Sequence, residues 1–204
     1  MVDLKLGSTT YSGIDRVQIS KADSSGVVNF TPSDDIFAVF NGTKVGGLYE
    51  NPYVTGMSRA LSVLLAGFDI AYLPNVVSLS SAIQDNVNFL KVGTLVAPKL
   101  QSSGALSWNG SVKVMDFTEL KTIEAYGISG TKLGTVILRG NTMAQLNNNV
   151  TSQGNVTQVI YVPQSLLSTY QADANWSQLL SKGRTFSAIE GSAYEDTDWF
   201  RTAV

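Results

Sequence analysis

The pattern of apolar and polar positions divides the chain into textures. Val2, Leu4 and Leu6 alternate with Asp3 and Lys5, the period-2 signature of a half-buried strand. Val17 and Ile19 alternate again. Ser12 with Gly13, and Ser24, Ser25 and Gly26, read as turns. Val27, Val28 and Phe30 form a short run before Pro32, and residues 36–40 form another, closed by Asn41 and Gly42, a hairpin signal. Strands this short and this often punctuated predict a small β module over residues 1–56. Gly46, Gly47, Asn51 and Pro52 keep its last stretch irregular.

From about residue 58 the pattern repeats. Segments 68–74, 92–98, 112–118, 133–139 and 156–162 align without gaps, their starts separated by 24, 20, 21 and 23 residues. The first, fourth and sixth places are apolar in all five. The columns are Phe68, Val92, Val112, Leu133 and Val156; then Ala71, Leu95, Met115, Val136 and Val159; then Leu73, Ala97, Phe117, Leu138 and Tyr161. This is an L-x-x-L-x-L pattern with a period inside the leucine-rich-repeat range. One short strand per repeat cannot bury its own inward residues, whereas stacked coils turn each column into a ladder inside one core. A second ladder follows, carried by Leu79 and Ile123, with Ala144 as a further candidate. The return half of each coil holds turn residues at Asp85 and Asn86, Asn109 and Gly110, Ser129 and Gly130, and Gly154 and Asn155.

After the last segment the period changes. Pro163 can open a helix, and Leu166, Leu167 and Tyr170 share one helical face. Trp176, Leu179 and Leu180 extend the apolar surface. A solenoid exposes a raw end that needs a cap, and residues 164–204 supply one together with a C-terminal arm, from Ser192 to Val204, suited to packing on a neighbouring subunit. The expected fold is thus mainly β: a small N-terminal β module (1–56), a short irregular leucine-rich-repeat-like solenoid of about five coils (57–163), and a helical cap with a C-terminal arm (164–204).

Composition narrows the chemistry. Among 204 residues there is neither histidine nor cysteine. That excludes Ser-His-Asp and Cys-His nucleophile systems, Cys/His zinc sites, iron–sulfur clusters and disulfides. Charged residues make up 15 %, well under the roughly 25 % typical of globular chains. Fourteen Lys and Arg against sixteen Asp and Glu give a net charge of -2, with the basic residues scattered singly, so no nucleic-acid footprint is expected. The most apolar stretch, residues 60–67, is far shorter than a membrane span, and Met1 to Leu6 do not read as a secretory signal. The Asn-x-Ser/Thr sequons at Asn29, Asn41, Asn109, Asn149, Asn155 and Asn175 read as a by-product of composition.

Acid–base catalysis would fall to carboxylates. Asp34 with Asp35, and Glu195 with Asp196 and Asp198, are sequence neighbours in expected loops, not pairs flanking a cleft, and no calcium-loop or phosphate-cradle motif surrounds them. No catalytic, cofactor-binding or metal-binding residue is therefore assigned, and the chain is expected not to be an enzyme. The aromatic residues Trp108, Tyr126, Trp199 and Phe200 are the candidate partner-binding residues. Trp108 sits where a repeat turns, and so either meets a partner or caps the coil's core.

Two resemblances add to this. Leu73, Pro74, Val76 and Leu79, then Phe117, Leu120 and Ile123, are similar to the strand-exit segments of the leucine-rich repeats of bacterial surface antigens. Ser111, Val112, Lys113 and Val114 look like the matching lead-in. Ile160, Tyr161, Val162, Pro163, Leu167, Tyr170, Asn175 and Trp176 resemble that family's closing motif, its most specific part. The likeness spans roughly residues 68–190. It departs at the mid-repeat aromatic, replaced by Ala82 or Ile83, by Leu106, and by Tyr126 or Ile128. The N-terminus, through Leu4, Leu6, Tyr11, Gly13, Ile14, Val17, Lys21, Asp23, Val28, Phe30 and Thr31, resembles the start of small structural proteins of bacteriophages that infect Gram-positive hosts. Together these resemblances imply a non-enzymatic virion protein at the particle surface. It would be a tail or baseplate appendage whose repeats meet a host-surface glycan or protein. Its partners would be other virion proteins, and it is expected to be a homo-oligomer. A capsid or tail decoration protein without receptor binding, and a bacterial surface adhesin, are the alternatives.

Overall fold

The computed structural model describes residues 2–6, 9–14, 16–18, 48–50, 55–57, 69–79, 92–103, 112–124, 127–130, 132–146 and 155–199. In chain order these form β1 (Val2–Leu6), β2 (Thr9–Ile14), β3 (Arg16–Gln18), β4 (Leu48–Glu50), β5 (Gly56–Met57), β6 (Ile70–Tyr72), β7 (Ser78–Leu79), β8 (Thr94–Val96), β9 (Ser102–Ser103), β10 (Val114–Phe117), β11 (Thr122–Ile123), β12 (Thr135–Leu138), β13 (Gln145–Leu146), β14 (Gln158–Val162), α1 (Gln164–Ala172), a 3-10 helix (Trp176–Lys182) and β15 (Arg184–Ala188). The chain is mainly β, its larger sheets are parallel, and the described residues include two helical segments.

β1 and β2 pair antiparallel, with the register slipping by one residue between Val2 and Leu4. Ser12 and Gly13 were expected to form a turn; they lie inside β2, where the slip falls. A glycine inside a strand commonly marks such a bulge. The readings placed on residues 24–42 lie outside the described residues.

The main sheet has eight strands in the order β15-β14-β12-β10-β8-β6-β4-β3, all parallel. β6, β8, β10, β12 and β14 fall in the five repeat segments. Three further strands lie where no repeat was read: β3; β4, in a stretch expected to be irregular; and β15. One inward column crosses seven neighbouring strands: Tyr49, Ala71, Leu95, Met115, Val136, Ile160 and Phe186. All but Phe186 are completely buried.

The fifth repeat segment corrects the ungapped alignment. Val136 pairs with Ile160, not Val159. On β14 the buried residues are Gln158, Ile160 and Val162, while Val156, Val159 and Tyr161 are half-buried. Side chains alternate across a strand, so a slip of one residue exchanges the two faces. Val156 and Val159 imitate the earlier columns in type but not in place.

The second ladder runs on the other side of the same core. β5 pairs with β7, and β9, β11 and β13 form a three-stranded parallel sheet. Backbone bonds also join these segments: Val77 N–H to Thr55 O, Gln101 N–H to Val77 O, Lys121 N–H to Gln101 O, and Gln145 N–H to Lys121 O. Ile123 pairs with Ser103 and Leu146. Leu146, not Ala144, holds the ladder position; Ala144 is buried beside it.

α1 follows Pro163, which stands at the N-cap, one place before the first helical position that proline favours. The Gln164 N–H, which no helical carbonyl can reach, donates to Glu190 Oε2 at 2.8 Å. Tyr170, Trp176 and Leu179 are buried, whereas Leu180, expected on the apolar surface, is 47 % exposed. Tyr170 and Trp176 meet edge to face at 5.0 Å, and both lie against Phe186. Their polar atoms reach the last strand of the smaller sheet. Ala144 N–H donates to Tyr170 Oη, Trp176 Nε1 donates to Ala144 O, and Asn175 Nδ2 donates to Leu146 O. Gly183 ends the 3-10 helix at φ +86°, with Val156 O only 2.9 Å from where a Cβ would stand. Glycine alone turns the chain into β15 there without strain.

Candidate binding face

The pleat that buries Met115 and Phe117 aims Val114 and Asp116 to the opposite, outer face of the main sheet. Two rows form there. One crosses Glu50, Tyr72, Val96, Asp116, Ile137, Tyr161 and Ser187. The other crosses Leu48, Ile70, Thr94, Val114, Thr135, Val159 and Thr185.

The chain's own C-terminal segment lies on the first row. Asp116 is only 2 % exposed although it points outward. Arg139 grips it with a fork: Nε to Oδ1 at 2.8 Å and Nη2 to Oδ2 at 2.9 Å. Trp199 Nε1 donates to Oδ2 at 2.7 Å. The same guanidinium donates to Tyr194 O at 2.8 Å and Glu195 O at 3.1 Å. Planar, with five donors, an arginine can hold a carboxylate and two carbonyls at once. The Tyr194 ring meets Tyr161 at 5.1 Å and stacks with Trp199 at 6.4 Å. Trp199 also packs on the patch formed by Leu48, Ile70 and Val96, beside Tyr72. Burial raises the Tyr72 phenol's pKa, and the charge of Glu50 adds to it.

The second row changes character along its length. Leu48 and Ile70 are buried, whereas Thr94, Val114, Thr135 and Val159 are half-buried and Thr185 is exposed. These last five stand on neighbouring strands, so the strip is about 19 Å wide at the usual strand spacing. It offers hydroxyls and methyls, carries no charge, and sits on a hydrogen-bonded sheet. Such a surface can hold a neutral partner.

Of the candidate aromatic residues, Trp199 is half-buried in the tail contact. Trp108, Tyr126 and Phe200 lie outside the described residues. Asp116 and Arg139 were missed as a pair; the available signal was a carboxylate in the run Val114, Met115, Asp116, Phe117. Away from this face, Arg184 is 1 % exposed. Its Nε donates to Gln158 Oε1 and its Nη2 to Ile128 O, while Gln158 Nε2 donates to Leu133 O. Burial lowers the Arg184 pKa to about 10, which leaves it charged at neutral pH. Among the described residues no group of three Asp or Glu is placed to hold a metal ion, and no helix is long and apolar enough to cross a membrane. No family model, curated protein or solved structure matches the chain.

Proposed function

We propose that this chain is a non-enzymatic structural protein of a bacteriophage particle, a tail or baseplate appendage that presents its outer sheet face to a host-surface glycan or protein. The observation that carries the binding role is the strip of Thr94, Val114, Thr135, Val159 and Thr185. Hydroxyls at fixed spacing bond directly or through water, and methyls beside them take sugar or peptide C–H surface. With its positions set by the sheet, the strip loses little entropy on binding.

The scaffold is read as a short irregular solenoid of leucine-rich-repeat type. Two parallel ladders share one core, and the backbone bonds from Thr55 to Gln145 pass from coil to coil. α1 and the 3-10 helix are read as its cap, supported by the Tyr170, Trp176 and Asn175 bonds to the backbone of Ala144 and Leu146. The virion assignment is supported by the N-terminal resemblance. The attachment role is proposed for residues 1–56, of which β3 and β4 continue the main sheet. A decoration protein without receptor binding is the second reading, favoured by the tail that already covers part of the face.

Antibody-labelled electron microscopy tests the assignment, on particles released by the bacterial strain that encodes the chain. Label at the tail or baseplate is expected. Label confined to the capsid would move the assignment to decoration, and particles without label would overturn it.

A further inference from the structure

We propose that two copies of this chain join end to end through β15, pairing antiparallel across a two-fold axis into one continuous sheet. The proposal goes beyond the virion reading and does not depend on it.

Two independent observations point to a missing neighbour at this end. The first is the inward column. Six of the seven residues named above are completely buried, and Phe186, on the last strand, is not. Its ring touches Tyr170 and Trp176 on one side.

The second is the backbone. Gln158 N–H donates to Gly183 O, and Ile189 N–H donates to Val162 O. In a parallel pair these bonds turn the N–H and C=O of Thr185 and Ser187 toward β14. Those of Phe186 and Ala188 then face the open edge. Among the described residues none bonds to them. The contrast with the smaller sheet is direct, because the backbone of Ala144 and Leu146 at its last strand is met by Tyr170, Trp176 and Asn175.

Natural edges are guarded by lysine, proline, a bulge or a cover. β15 pairs with β14 over five residues without a slip. It carries neither lysine nor proline; its one charge, Arg184, points inward, itself an edge-guarding device, and is bonded to Gln158 and Ile128 of its own chain. The main-chain groups of Phe186 and Ala188 nonetheless stay open to a partner strand.

A second copy fits by symmetry. A two-fold axis at Phe186 sets its outward N–H and C=O against those of Phe186 of the partner subunit. The two rings then share the inner face, each adding the rung the other lacks. On the outer face Thr185 stands opposite Ser187 of the partner subunit, and on the inner face Arg184 stands opposite Ala188 of the partner subunit. No like charges face each other. The closed two-fold arrangement leaves no further β15 edge, so the assembly stops at two.

Analytical ultracentrifugation of the full chain across a wide concentration range reads this out. The expected particle has twice the 21.8 kDa chain mass. Thr185→Lys with Ser187→Lys sets lysines opposite each other and is expected to give monomer. Thr185→Glu with Ser187→Glu is expected to do the same, and mixing the two variants is expected to restore dimer. Both side chains lie on the outer face away from the core, and circular dichroism checks that each variant folds. In the wild type, amide exchange at Phe186 and Ala188 is expected to slow as concentration rises, which needs no variant. A wild-type monomer at every concentration overturns the proposal, even if another particle protein pairs with β15 instead. So does a dimer that survives the lysine pair, or lysine and glutamate variants that do not recombine.

Discussion

Trp199 donates its indole N–H to the Asp116 carboxylate at 2.7 Å, joining residues 83 positions apart. Arg139, on the strand next to Asp116, completes the clasp. One carboxylate thus ties the tail to the sheet, beside the Arg139 bonds to the Tyr194 and Glu195 carbonyls. A hydrogen bond to a charged acceptor is worth about 1.5–3 kcal/mol. Trp199→Phe keeps the ring on Leu48, Ile70 and Val96 but removes that bond. Amide exchange over residues 192–199 is expected to quicken while the core protection of β10 and β12 stays. Unchanged tail exchange would mean that Arg139 alone holds the segment.

Asp116→Asn goes further, because it removes the charge that answers Arg139. Breaking one side of a buried pair costs about 3–5 kcal/mol. Arg139 is partly exposed, so water recovers part of that cost, and a loss near the lower end is expected in urea unfolding. A neutral result would show that the pair is solvated in solution.

The corrected register of β14 gives a sharp comparison. Ile160→Asp places a charge in the buried column beside Val136, a change costing several kcal/mol, and is expected to abolish folding. Val159→Asp points outward and is expected to be tolerated. The reverse outcome, read by circular dichroism and thermal melting, would restore the ungapped alignment.

Met115 sits at the middle of the same column. Met115→Ala is expected to lose about 2–5 kcal/mol, and Met115→Asp to unfold the chain. A stable aspartate variant would mean that the inward columns are misassigned.

Alkaline unfolding separates two buried groups. Burial holds the Tyr170 phenol above its ordinary value of 10.0, with the bond from Ala144 N–H pulling the other way. A phenol that ionises more readily in the unfolded chain contributes stability that is complete below about pH 10 and is lost above it. Arg184 acts in the opposite sense: its burial costs stability below about pH 10, and the cost shrinks as pH rises past that value. Tyr170→Phe is expected to be less stable throughout, because Ala144 N–H loses its acceptor, and to lose less further stability above about pH 10 than the wild type. Parallel urea midpoints for the two proteins across that range would contradict this.

The repeat strands were legible because L-x-x-L-x-L spacing follows from burying one side of a short strand. β6, β8, β10 and β12 keep it, and their registers agree with the ungapped alignment. β14 breaks it with a buried glutamine, which reads as polar and outward until Arg184 is seen beside it. β15 was illegible for the same reason: Arg184 hides its inward row. β4 was obscured by flanking Gly46, Gly47 and Pro52. The outer face was the least readable part. Burial of Asp116 depends on a tail 83 positions away, and no local spacing encodes that contact.

The central claim, binding through the outer strip, is tested most directly by attachment of labelled protein to cells of the strain that yields the particles. Thr94→Lys with Thr135→Lys places charge in the strip, and Thr142→Lys, at an exposed turn, serves as the control. The account predicts saturable binding by the wild type and the control, and its loss in the double variant with unchanged circular dichroism. Equal binding by all three proteins, or none by the wild type, would contradict it.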